Sequence, residues 1–497
     1  MSINSSQALE GDTFVGSAVL ANPLRPKVEF TPRSAELHMD GGNTNTIDHP
    51  GPLGNHLNIT SIDIQLDIFY WDSKGTMFAV YGGPCNDTEF FPAIAVLNQE
   101  TLAFETLWSL PAKHANTTLL TTYMQLLMDT DQIVVGSQEG QIYVLRKCDG
   151  QDGNPTIETQ RLIDLSPSGV LKGQTMLNSA MDVASNVWFT TGAVDGVGQG
   201  EPTNLTVVGY VEKDGTIHSL EIRNQNIGPG VSISGTKIYI NTEPSAADDH
   251  ANAVGFISAL TTGHGTSVHV VWNATYDAGS STKHGGFGTR GSGTTPTLLG
   301  NDFVAVCDNA GEQINMLIYP QQSKGHNVQP ICKVPLFKPG HSWTDNGLMG
   351  HYDGKDYAVV VQNMDHEAAF NSTPATNGPY HSLTVQDPGI WKVLVAGDGS
   401  GCHVEWKNPG RQTTVPVLST ATGLIYGYEQ SKGLAIEGQY SWYATAIDFM
   451  TGKTVWKALV GAGGTFDNNY RTTFLSPQGA MYQVVQGGVA IISDGDL

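Results

Sequence analysis

Apolar residues in this chain come in short β-branched runs, and the runs are separated by compact polar turns. Eight turns share one character: WDSKG (71–75), DTDQ (129–132), VASN (183–186), SGTK (234–237), LGND (299–302), YDGK (352–355), TATG (420–423) and SPQG (476–479). Each leads into an apolar strand such as TMFAVYG, NVWFTTG or DYAVVVQ. A third strand follows, as in AIAVLN, GFISAL and GVAIIS. A fourth often carries tryptophan, at Trp108, Trp272, Trp406 and Trp456. No 3.6-residue periodicity of useful length intervenes, so the pattern predicts strands and hairpins throughout.

A four-strand unit repeated eight times predicts an all-β chain, a single β-propeller of four-stranded blades. Eight blades are expected, with seven as the alternative. The last unit ends after its third strand near Ile492, so the ring should be closed by an N-terminal strand, expected within KVEFTPRSAELH (27–38). Closure of this kind removes exposed sheet edges. The expected division is an irregular arm over 1–60 contributing that strand, then the propeller over 61–497.

Composition agrees and narrows the partners. The 497 residues include 58 Gly and 24 Pro, and only 14% are charged. Lys and Arg total 25 against 47 Asp and Glu, a formal charge of −22, which argues against nucleic acid or an anionic membrane as partner. No run is long enough for a membrane span. Sequons at Asn4, Asn58, Asn86, Asn116, Asn204, Asn273 and Asn371, with few lysines, point to the secretory pathway, with a cytoplasmic location as the alternative. The start lacks a signal-peptide pattern, so any such peptide is expected to be absent from this sequence. Five scattered cysteines allow at most two disulfides and form no zinc motif.

The hairpin AIDFMTGKTVW, with Ala446, Asp448, Thr451, Gly452, Lys453 and Trp456, resembles the tryptophan-docking motif of quinoproteins, the eight-bladed dehydrogenases that carry pyrroloquinoline quinone. That resemblance implies fold rather than chemistry. The vicinal Cys-Cys pair of those dehydrogenases is missing, and no D-x-[DN]-x-[DN]-G calcium loop occurs. The expected cofactor is therefore none, with a quinoprotein-like oxidoreductase as the runner-up.

Propeller topology puts the turns between second and third strands, and those between blades, on one face. That face has the long loops, including NMDHEAAFNSTPATNGPYHSLTVQDPG (363–389), so function is expected there. Three inter-blade loops place an arginine just before a Thr-Thr pair: Arg290, Arg411 and Arg471, out of eight arginines in the chain. They are candidates to seat an anionic or oxygen-rich ligand by forked hydrogen bonds; the alternative is that they bridge blades through carbonyls. His284, His341 and Asp345 are candidate acid–base groups, and Trp343, Tyr470, Asp467 and His366 candidate substrate contacts. The histidine spacing shows no metal constellation, and no metal is expected.

Over most of its length, and most clearly in KHGGFGTRGSGTTPTLLGNDFVAVCDNAGEQINMLIYP (283–320), the chain resembles fungal hetero-Diels–Alderases of tropolonic sesquiterpene biosynthesis. The resemblance implies small-molecule partners, a tropolone-type and a terpene substrate. It also implies a cofactor-free cycloaddition in which a hydroxymethyl tropolone loses water to a quinone methide that adds to a humulene-type alkene. The arginines would hold the tropolone oxygens, His284 or His341 would protonate the departing hydroxyl, and Trp343 and Tyr470 would fold the terpene. A metal-dependent propeller hydrolase or lactonase, and a non-catalytic ligand-binding propeller, are compatible with the same polar mouth.

Overall fold

The computed structural model describes residues 2–495 except 87–88, 91, 112–116, 151–153, 193–203, 229, 246–253, 264–266, 280–290 and 366–381. Eight sheets follow one another along the chain, each built on antiparallel strands in sequential order from an inner to an outer edge, with strands from before residue 63 added to the sheets of blades 2, 7 and 8. Blade 1 runs through Leu66–Trp71, Met77–Tyr81, Ala93–Leu97 and Phe104–Trp108; blade 7 through Val417–Ser419, Leu424–Gln430, Ser441–Asp448 and Thr454–Ala462. The fold is an eight-bladed β-propeller. The second and third strands of each blade are buried on both faces, because each blade is sandwiched between two others. That is why they read as near-continuous apolar runs.

The ring closes through Asn58–Ile62, which pairs antiparallel with the last strand, Gly488–Ser493, and completes blade 8 from outside. An N-terminal strand therefore closes the ring, as the repeat predicts, but it is not the expected one in 27–38. NITSI lies on an outer edge and is exposed or half-buried throughout, so it lacks the apolar signal of its neighbours. The Asp494 carboxylate secures the joint by accepting N–H bonds from Leu53, Gly54 and Asn55 at 2.8–2.9 Å.

Residues 33–47 run instead inside the ring, along the ends of the inner strands that lead into the first-to-second turns. Ser34–Ala35 adds to the inner edge of blade 2, and Thr46–Ile47 pairs in parallel with blade 7. Carbonyls of Arg33, Gly41, Gly42, Thr44, Asn45 and Ile47 accept N–H bonds from Met128, Ile233, Leu298, Gly350, Leu418 and Thr420, in five blades. Asp40 knots this segment: Oδ1 accepts from the Gly42 and Thr44 amides, and Oδ2 from Thr44 Oγ1 and Lys27 Nζ. Burial alone would depress the Lys27 ammonium, but Asp40 and Glu29 outweigh it and hold the group above its ordinary value.

Blades are also joined at their rims. Cys332 and Cys402 form a disulfide between the outer strands of blades 5 and 6, closing a separation of 70 residues. In the blade 7 hairpin, Asp448 Oδ1 accepts from Thr451 N–H and Oγ1–H, and Gly452 takes φ +70°. The tryptophan docked on that turn comes from blade 6. Trp406 Nε1 donates to Phe449 O at 2.9 Å, and Asn408 Nδ2 to Gly452 O at 2.7 Å. A Cβ at Gly452 would lie 2.5 Å from the Trp406 ring.

Urea unfolding measures the weight of the arm and of the docked hairpin. Asp40→Ala strands a buried lysine and unties the arm, and should cost about 3 kcal/mol. Gly452→Ala combines a left-handed backbone with a clash against Trp406, and should cost about 1–3 kcal/mol.

Candidate functional site

The arm lies across the axis at its first-to-second-turn end; the opposite end of the axis is where each inner strand begins. The first residues of the inner strands look into it. Asp345 leads into the inner strand of blade 6, where Gly293 of blade 5 makes room for it; any Cβ at Gly293 would overlap the Asp345 side chain. Asp345 is half-buried overall, with its Oδ2 sealed from solvent. Burial raises its carboxyl to about 7. Among the described residues its Oδ2 has no hydrogen-bond partner.

Tyr123, from the inner strand Leu119–Leu127 of blade 2, shares this space. Its phenol is hydrogen-bonded to Thr295 of blade 5, and burial together with the nearby Asp345 raises it to about 12. Beneath it lies His38 of the arm, with ring centroids 6.3 Å apart and Nδ1 3.1 Å from Asn45 Oδ1. Burial lowers His38 to about 4, so the imidazole is neutral at physiological pH. Glu36, also on the arm, is buried and raised to about 7 despite accepting from Ser34 and Gln125. Asp345 beside Tyr123 and Glu36 on the arm are thus two carboxyl groups that keep their protons to near neutrality.

The remaining expected residues are dispersed around the rim. His341 is half exposed, with Nδ1 2.6 Å from Asp387 Oδ2. Trp343 is buried; its N–H donates to Asn363 Oδ1 and its carbonyl accepts from Met364. Asp467 is buried, and Oδ1 accepts from the Asn469 amide. Tyr470 is half-buried with φ +65°. The arginine loops differ from one another in use. Arg411 is 5% exposed and donates to the carbonyls of Leu383, at 2.6 Å, and Gln430, at 3.4 Å. Burial lowers its pKa, with Glu429 opposing. It acts as a bracket within the blade framework. Arg471 donates to Val485 O at 3.2 Å and keeps an accessible guanidinium 3.7 Å from Asp67, whose carboxyl is raised by burial. His284, Arg290 and His366 lie outside the described residues.

No family model matches the chain. An uncharacterized protein from Archaeoglobus fulgidus is 23% identical over 251 residues, 47% of each chain, so the match spans about half the length of that relative. Among solved structures, the WD40 domain of SCAP from fission yeast aligns with TM-score 0.46 and 10% identity over 89% of this chain and 99% of that one. The Dos1 propeller aligns at 0.39 and 10% over 98% and 95%, and streptogramin B lyase at 0.37 and 9% over 88% and 97%. The blade count rests on the sheet order itself.

Asp345 and Glu36 make a pH prediction. Both hold protons in the folded state at pH values where the unfolded chain has lost them, so their contribution is fully present below about pH 4 and is lost as pH rises to about 7. Urea midpoints should fall across that window, and Asp345→Asn, which cannot ionise, should flatten part of the fall.

Proposed function

We propose that the protein is an enzyme acting on small molecules, a cofactor-free hetero-Diels–Alderase. It would dehydrate a hydroxymethyl tropolone to a quinone methide and add that to a humulene-type sesquiterpene. The observation carrying this reading is the Asp345 carboxyl, raised to about 7 in the channel beside Tyr123. A neutral carboxylic acid shielded from water can protonate a hydroxyl that must leave.

In the first step Asp345 gives its proton to the hydroxymethyl oxygen, the C–O bond breaks and water departs. The tropolone hydroxyl proton returns to the Asp345 carboxylate as the ring electrons reorganise to the quinone methide. In the second step its exocyclic carbon and ring oxygen each form one bond to the alkene carbons; the alkene π bond and the exocyclic C=C and ring C=O π bonds are consumed, a ring C=C re-forms, and no atom is lost. Arg471, accessible beside Asp67, would hold the tropolone oxygens and favour charge gathering there. Tyr123 and Tyr470 would limit how the two reactants approach. Shielding from bulk water would protect the quinone methide from hydration. His341, bonded to Asp387 at the rim, is assigned no proton transfer. The Cys332–Cys402 disulfide supports passage through an oxidising compartment, the secretory pathway.

The test is an LC–MS assay of adduct yield and diastereomer ratio, with and without protein, in the presence of chelator. A protein-dependent rise in one diastereomer is expected. Asp345→Asn should lower its rate by about 100-fold or more. The wild-type rate should decline above about pH 7 as the acid ionises. Product mixtures unchanged by protein would exclude the reading.

A further inference from the structure

We propose that His341, Asp365 and Asp387 bind one divalent transition-metal ion, Zn2+ before others, which clips the base of the long loop of blade 6. This site is separate from the acid–base chemistry assigned to Asp345 and does not rest on it.

The geometry is already close to what an ion needs. One ligand atom from each of the three residues lies within 4.8 Å of the others. A tetrahedral ion with bonds of about 2.1 Å holds its ligand atoms roughly 3.4 Å apart. The 2.6 Å His341–Asp387 contact would open by less than about 1 Å, and the widest pair would close by about 1.4 Å or less. Side-chain rotation covers both movements. An imidazole nitrogen with two carboxylates favours zinc or manganese; oxygen ligands alone would favour calcium or magnesium. His341 and Asp387 are 49% and 29% exposed, which leaves room for a bound water and a route for the ion.

One buried side chain organises the main chain of all three ligands. The Asn363 carboxamide is 1% exposed. Its Nδ2 donates to the carbonyls of His341 and Asp387 at 3.0 and 3.3 Å, and its Oδ1 accepts from the Asp365 amide at 3.3 Å. Gln386 in turn donates to the Asn363 carbonyl at 2.9 Å. These bonds hold the three main-chain segments side by side, so that only side-chain rotation is needed to meet an ion. A simple surface ion pair between His341 and Asp387 needs no such frame.

Position supplies the purpose. Asp365 and Asp387 stand at the two ends of residues 366–386, and His341 comes from the loop that enters the same blade. A cross-link that closes a long loop removes much of its freedom when the chain is unfolded.

The experiment is calorimetric titration of the full chain, stripped with EDTA, using Zn2+, Mn2+, Ca2+ and Mg2+, alongside thermal melts. Wild type should bind one Zn2+ and melt at a higher temperature with it. Asp365→Asn and Asp387→Asn should each weaken Zn2+ by about tenfold or more and lose the thermal shift, while melting like wild type in EDTA. Should either variant fail to fold, the visible spectrum of Co2+-loaded wild type decides: four-coordinate bands support the site, and octahedral bands of aqueous cobalt overturn it. Zn2+ binding untouched by both variants, no stoichiometric binding, or tighter Ca2+ or Mg2+ than Zn2+ would each overturn the proposal.

Discussion

A propeller leaves the inner edge of every blade unpaired, and this molecule is arranged around the need to satisfy those edges. Hydrogen-bonding groups in a narrow axial channel have limited access to water, and an unmet one costs about 1–3 kcal/mol. The arm meets the need directly, with six of its carbonyls accepting from inner-strand amides of five blades. To do so it must turn repeatedly in a small space. Met39, Asn43 and Asn45 adopt positive φ, and Asp40 bonds the local amides that such turns expose. The buried Lys27–Asp40 pair, the neutral His38 and the protonatable Glu36 are consequences of placing a polar segment there.

The same arrangement divides the channel into two environments. One end holds the arm, whose amide and hydroxyl side chains have their bonds made. The other is polar but less completely bonded, and there Asp345 keeps a carboxylate oxygen without a partner among the described residues. A carboxyl in such a place resists ionising, and so becomes useful as an acid at neutral pH. The rim has a different character, with the main chains of His341, Asp365 and Asp387 gathered by the buried Asn363 carboxamide.

The strands are legible in the sequence because each is pressed between two blades and must be apolar on both faces. The closing strand is not, since half-exposed NITSI carries little hydrophobic signal, whereas KVEF alternates like a strand yet belongs to the arm. Equivalent arginine positions can be read from the repeat, but their roles cannot. The partners of Arg411 and Arg471 include backbone carbonyls of Leu383, Gln430 and Val485, and a carbonyl has no letter in a sequence. Asp345 stands out as a charge at the mouth of an inner strand. Tyr123 does not, being one more aromatic in LLTTYMQLL. Asp365 and Asp387 are 22 positions apart and meet His341 only through the fold.

The ring joint and the threaded arm also govern when this protein can finish folding. Residues 33–62 are made before any blade is complete, yet their partners include Leu418, Thr420, Gly488–Ser493 and Asp494, in the seventh and eighth blades and the residue after them. Contacts of such sequence separation form slowly, because the chain must close a very long loop before gaining anything from them. A nascent chain lacking its final blade therefore carries an arm with no complete seat and an outer strand with no mate. Such a species exposes sheet edges and is prone to aggregate. In the finished molecule the same joint works in reverse. Opening the ring must break the pairing of Asn58–Ile62 with Gly488–Ser493, which joins segments more than 400 residues apart, so the native ring should persist longer than its equilibrium stability alone implies.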